Sequence, residues 1–143
     1  MVEVLIAGIL LASSAAAVSK MSVSALSSSA NLSTRAGIEA AINDNIQAMQ
    51  KEDSYFTGEW IEANREGGLT AACADPPQAL SAHLQSVVPY PRLSGITREF
   101  DTSAIPGILR VVYRFEGPEQ QVKTEQRLIE MSPNFAAQCY TTR

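Results

Sequence analysis

Sixteen consecutive residues, "VLIAGILLASSAAAVS" between Glu3 and Lys20, carry no charge, and no proline occurs before Pro76. Proline removes a backbone donor and breaks helix interiors, so its absence leaves the first half of the chain free to run as one helix. The apolar run must also be kept from water. A long helix with a greasy front end is therefore the frame into which the rest must fit.

Three readings compete for residues 1–21. A secretory signal peptide wants a basic start, whereas this start is acidic; only "ASSAAAV" suits a cleavage region. A membrane-spanning helix wants about 20 apolar residues. Val4 to Ser19 is somewhat short of that, but Lys20 can snorkel and "MSVSAL" extends the apolar face. In the third reading the helix waits in a bilayer and then packs against copies of itself. Ala7, Gly8, Ala12 and Ala15 to Ala17 suit that, because small residues let helix backbones approach closely. Glu3 is conspicuous in all three: a carboxylate beside hydrocarbon needs water or a partner. On its residues alone it reads as an interfacial group, mildly favoured by the positive end of its own helix.

The serine-rich "SVSALSSSANLSTR" is a poorer helix former and a place where the helix is expected to fray or bend. Beyond it, "STRAGIEAAINDNIQAMQKED" is amphipathic. Ile38, Ile42, Ile46 and Met49 recur at helical spacing and form a stripe that needs a covering surface. The helix is expected to end near Ser54, giving three regions: a hydrophobic membrane or filament-core helix (1–25), its amphipathic continuation (26–54) and a globular head (55–143).

In the head, "TGEWIEANREGGLTAACADPP" reads as a short helical or irregular connection closed by Gly67 and Gly68. Asp75 as a cap, prolines in the first turn and the apolar Leu80, Leu84, Val87 and Val88 predict a short helix from about Gln78 to Val88, stopped by Pro89. His83, on that helix, reads as ordinary surface or partial packing. "RLSGITREFD", "GILRVVYRFEG" and "QQVKTEQRLIEM" read as an antiparallel meander. Leu109, Val111, Tyr113 and Phe115 supply a face to cover the stripe, and Arg110, Arg114, Lys123, Glu125 and Arg127 read as solvated cross-strand pairs. The fold class is α+β: one long helix against a small antiparallel sheet.

Cys73 and Cys139 are the only cysteines, and neither belongs to a CxxC. With one histidine in the chain they offer no zinc ligand set. A disulfide closing a loop of more than sixty residues is the better reading, and two unpaired buried thiols the other. Eleven Lys and Arg against fifteen Asp and Glu, without a basic cluster, argue against direct nucleic-acid binding. No GxGxxG, Walker A, HExxH or GxSxG occurs, so no catalytic residue, metal or cofactor is assigned. The "NLS" at Asn31 matches a glycosylation sequon, a pattern frequent by chance, and Ser27 to Ser29 read as solvated or helix-packed surface.

"VEVLIAGILLA", an apolar segment led by a glutamate and continued by one long amphipathic helix, resembles the N-terminus of type IV pilins and pseudopilins. The resemblance is specific over roughly the first 50 residues and looser beyond, where it includes a late cysteine pair. It implies a pilin-like structural subunit, not an enzyme, that waits in the inner membrane and assembles with identical subunits into a filament on the cell surface. Glu3 would neutralise a neighbour's terminal ammonium, and Val4, Leu5, Ile6, Gly8, Ile9 and Leu10 would pack in the filament core. Ile38, Ile42, Ile46 and Met49 would join helix to head, and the disulfide-bounded C-terminal region would lie exposed. A prepilin peptidase and the pilus assembly machinery are implied as further partners. The chain departs from the family in two ways. Mature pilins usually carry two residues ahead of the position of Met1, so either the sequence begins inside the mature protein, the favoured expectation, or Met1 is itself the terminus and the glutamate is displaced. Lys20 stands near where many relatives have a proline. Adhesion, motility and DNA uptake all remain open, as do a minor pilin of a secretion or competence system and a single-pass anchored binding domain.

Overall fold

The structure, a computed structural model, describes residues 2–118 and 124–140, with side chains from Val18 onward except Val23. Four α-helices, α1 (Val2–Tyr55), α2 (Gly58–Asn64), α3 (Gly68–Ala74) and α4 (Pro76–Val87), precede three strands, β1 (Thr97–Ile105), β2 (Ile108–Phe115) and β3 (Glu125–Met131). A 3-10 helix, Asn134–Tyr140, follows. The class is α+β with a long N-terminal helix, and the chain divides into two compact units, residues 1–37 and 38–143.

The first unit is helix alone. The serine-rich stretch, expected to fray or bend, is helical throughout. Its hydroxyls help to explain why: Ser22 Oγ donates to the Val18 carbonyl at 3.0 Å and Thr34 Oγ1 to the Ala30 carbonyl at 3.1 Å. Bonded back one turn, these hydroxyls are satisfied within the helix and share carbonyls that also accept its own N–H bonds. Among the described residues no helix is long and apolar enough to cross a membrane.

The second unit is built on the last turns of α1, from Ile38 to Tyr55. Its sheet has the order β1-β2-β3, both pairs antiparallel, with Phe100 opposite Val111 and Val111 opposite Ile129. Alternation along β2 puts Leu109, Val111, Tyr113 and Phe115 on the inner face, all buried, where they join Ile38, Ile42 and Met49 in one core. The outer face carries Arg110 paired with Glu130 at 3.0 Å and Arg114 paired with Glu99, both across strands as the alternation predicts. Arg127 differs. It lies on the inner side and pairs with Glu39 of α1, because strand register points it at the helix.

The connection after α1 is two helices. Thr57 caps α2 by accepting from the Trp60 amide at 3.2 Å. Gly67, at φ 79°, begins α3 without a side-chain cap; the Glu62 carboxylate supplies one, accepting from the Leu69 amide at 2.7 Å. A side chain at Gly68, φ 55°, would strike that carboxylate. Asp75 caps α4 through the Gln78 amide with prolines in the first turn, so α4 starts two residues before the predicted Gln78. Leu80, Leu84 and Val88 are buried as predicted, but Val87, the last residue of α4, is exposed. β1 begins at Thr97, later than "RLSGITREFD" implied, and runs on to Ile105 with a register shift after Asp101. There Asp101 Oδ1 accepts from the Ser103 amide and hydroxyl and the Ala104 amide, which holds its pKa below the usual carboxylate value.

Candidate functional site

The residues assigned to assembly at the head of the helix, Glu3, Val4, Leu5, Ile6, Gly8, Ile9 and Leu10, lie outside those whose side chains are described. The described part of the first unit presents large apolar side chains without cover: Val18, Met21, Leu26 and Leu32 are 63% to 76% exposed. Val18, Met21 and Ala25 follow the 3–4 spacing of a helix-packing seam, and Leu32 continues it one heptad after Ala25 with Ser28 at the position between.

The predicted helix–head stripe lies in the second unit. Ile38, Ile42 and Met49 are buried, whereas Ile46 is only half-buried. The remaining position facing the core is polar. Asn45, three residues after Ile42 and four before Met49, is buried, and it is the junction of a network that the apolar stripe alone did not reveal. Its Nδ2 donates to the Pro89 carbonyl at 2.8 Å, and its Oδ1 accepts from Arg98 Nη1 and the Tyr113 hydroxyl, each at 2.9 Å. The signal available in the sequence was an amide at a core-facing position of an otherwise apolar repeat, which is costly to bury unless bonded.

Arg98, on β1, completes the network. It is 7% exposed, donates to the Pro89 and Val88 carbonyls at 3.2 and 2.9 Å, and lies against the rings of Tyr90 and Phe100 at 5.1 and 4.9 Å. Carbonyl oxygens, an amide oxygen and two aromatic faces thus receive the charge. Burial nonetheless pulls the guanidinium's pKa below its ordinary value and pushes the Tyr113 phenol up to about 12. The network ties α1, the α4–β1 loop and the first two strands at one point, and so fixes the helix's rotation against the sheet.

At the far end of α1 the aromatic side chains gather. Phe56 stacks on His83 (centroids 4.2 Å apart, planes 10° apart), meets Phe135 edge-on at 5.3 Å and touches Trp60 at 5.5 Å. Trp60 meets His83 at 5.0 Å, and the imidazole side chain is only 9% exposed, so partial packing describes His83 and surface does not. Next to this cluster Asp53 accepts from the Asn134 amide at 3.1 Å; burial raises its carboxyl pKa, and that bond offsets part of the rise.

Cys73 and Cys139 are joined in a disulfide, which pins the 3-10 helix to α3. Between these elements and α2 runs an open groove of about 1480 Å³, with Glu59, Leu69, Thr70 and Tyr140 among its walls. Among the described residues no three His, Cys, Asp or Glu side chains converge as a metal site. Compared with protein-family models, curated proteins and solved structures, the chain matches none.

Proposed function

We propose that this chain is a pilin-like structural subunit that polymerises through its N-terminal helix. The observation that carries the reading is the described part of the first unit, a helix with Val18, Met21, Leu26 and Leu32 open to solvent in the single chain. Each is a large apolar side chain whose burial contributes about 1.5 to 3 kcal/mol, so a second apolar surface has much to gain by covering them. Supporting it are the long helix leading into a small α+β head and a disulfide of the kind an oxidising, extracytoplasmic setting maintains. In this reading the helix waits in the inner membrane, then packs among copies of itself while the heads form the wall, and Glu3 answers a neighbour's terminal ammonium.

Electron microscopy of sheared surface material from cells expressing the chain tests the proposal. Fibres containing the chain are expected, with Glu3→Ala lowering their yield while the head stays folded. Detergent-soluble monomer alone would favour an anchored head that binds a partner outside the membrane. Undiminished fibres from Glu3→Ala would remove the charge pairing from the account.

A further inference from the structure

His83 is the only histidine and Trp60 the only tryptophan in the chain, and the two rings are in contact. The imidazole lies where four elements meet: the end of α1 with Glu52 and Phe56, α2 with Trp60, its own α4, and the 3-10 helix with Phe135 behind Phe56. We propose that His83 is a proton-operated catch for α2: neutral, it stays stacked on Phe56 and in edge contact with Trp60; protonated, it leaves Phe56 for the Glu52 carboxylate and loosens α2.

The charges around the ring give the catch its two positions. Against a proton in place stand burial and Arg65, at the end of α2, whose guanidinium already lies over the Phe56 ring at 5.7 Å. An imidazolium left on Phe56 would put a second cation on the ring that Arg65 already covers, with most of the imidazole surface out of water. Toward the proton stands Glu52, whose carboxylate is 3.8 Å from His83 Nε2 and one-third exposed, so a small outward swing gives the imidazolium both a counter-charge and solvent. The other charges on the packed elements are engaged elsewhere or exposed: on α1, Lys51 is exposed over the Tyr55 ring, and Asp53, half-buried beside the cluster, accepts from the Asn134 amide. α4 has none besides His83, and the 3-10 helix has only the exposed Tyr140 phenol. On α2, Glu59 is exposed and Glu62 is engaged with the Leu69 amide.

What moves is also apparent. α2 has only seven residues, begins on a single Thr57 cap and buries just Gly58 and Ile61. A helix this short holds its place by packing rather than by its own hydrogen bonds. Trp60, 38% exposed, depends on Phe56 and His83 for its ring contacts. Withdrawing the imidazole removes one of those walls. The catch stands independently of the filament reading, since every group it uses belongs to the second unit.

The test titrates the full chain in neutral detergent from about pH 8 to 5, the window in which histidine charges. Trp60 emission and the His83 ring-proton resonance are followed together. The expected result is one shared transition centred below 6.5, the ordinary histidine value, with Trp60 emission shifting red and becoming more accessible to acrylamide. His83→Phe keeps a ring on Phe56 that cannot take a proton, and its Trp60 emission is expected to stay flat. Glu52→Gln removes the charged destination and is expected to move the midpoint to lower pH. A His83 resonance that titrates while Trp60 emission stays flat overturns the catch, and so does an unaltered Trp60 transition in His83→Phe. Should His83→Phe not fold, the Glu52→Gln midpoint decides, and an unmoved one overturns the proposal.

Discussion

Asn45→Ala removes a side chain that bonds three parts of the head at once. Its consequences can be followed atom by atom. The Tyr113 hydroxyl loses its oxygen acceptor and keeps only the Met49 sulfur at 4.0 Å, a weak partner. Arg98 loses one bond but keeps the Pro89 and Val88 carbonyls, and the Pro89 carbonyl keeps Arg98. A buried hydroxyl without a good acceptor costs about 1–3 kcal/mol, and the lost neutral and charge-assisted bonds add about 1 and 1.5 kcal/mol or more. The expected loss is about 4 kcal/mol, large against a domain stability of about 5–15 kcal/mol. Tyr113→Phe is the informative partner, because it removes the stranded hydroxyl itself and should cost only about 1 kcal/mol. With both changes the hydroxyl is no longer there to be stranded, so the double variant should fall short of the sum by about 2 kcal/mol or more. Urea unfolding of the full chain in neutral detergent, followed by Trp60 emission, measures all three. An Asn45→Ala cost below about 1 kcal/mol, or strict additivity with Tyr113→Phe, would refute the junction role.

Replacing both Cys73 and Cys139 by serine opens a loop with a sequence separation of 66 residues, for which the chain-entropy relation gives about 4 kcal/mol, or a Tm lower by roughly 20 °C. A scanning melt of oxidised protein beside the double variant checks it, with an unchanged Tm counting against the bridge as a stabiliser. Asp53→Asn keeps an acceptor for the Asn134 amide while removing a carboxylate that burial disfavours. A raised folded pKa means stability that is present below the unfolded value of 3.8 and lost as pH rises through the folded one, so the variant should be more stable than the parent at neutral pH. That gain should fade as pH approaches 3.8, as denaturant midpoints at several pH values would show.

Local pattern made much of this legible in the sequence. The long helix followed from the absence of proline, although its serine-rich stretch was expected to fray or bend and is helical, and α4 followed from an aspartate, two prolines and an apolar face, features that act within a few residues of one another. The alternation of β2 likewise named its own buried side, because successive strand residues point to opposite faces. Three further misses share one cause. Val87 and Ile46 are apolar in sequence yet end up exposed and half-buried, since burial depends on which neighbour arrives and not on the residue alone. Arg127 was read as a strand charge in water and instead reaches α1.

The chain's own order of residues thus determined the secondary structure, the sense of each amphipathic face and the presence of two cysteines able to pair. Only the tertiary structure decided that Asn45 meets Arg98 and Tyr113 across 53 and 68 residues of sequence, and that the single histidine lies on Phe56 beside the single tryptophan. Helix and strand periodicity are written in neighbours a few residues apart, whereas a buried polar contact depends on the three-dimensional register of distant elements, which no local spacing encodes.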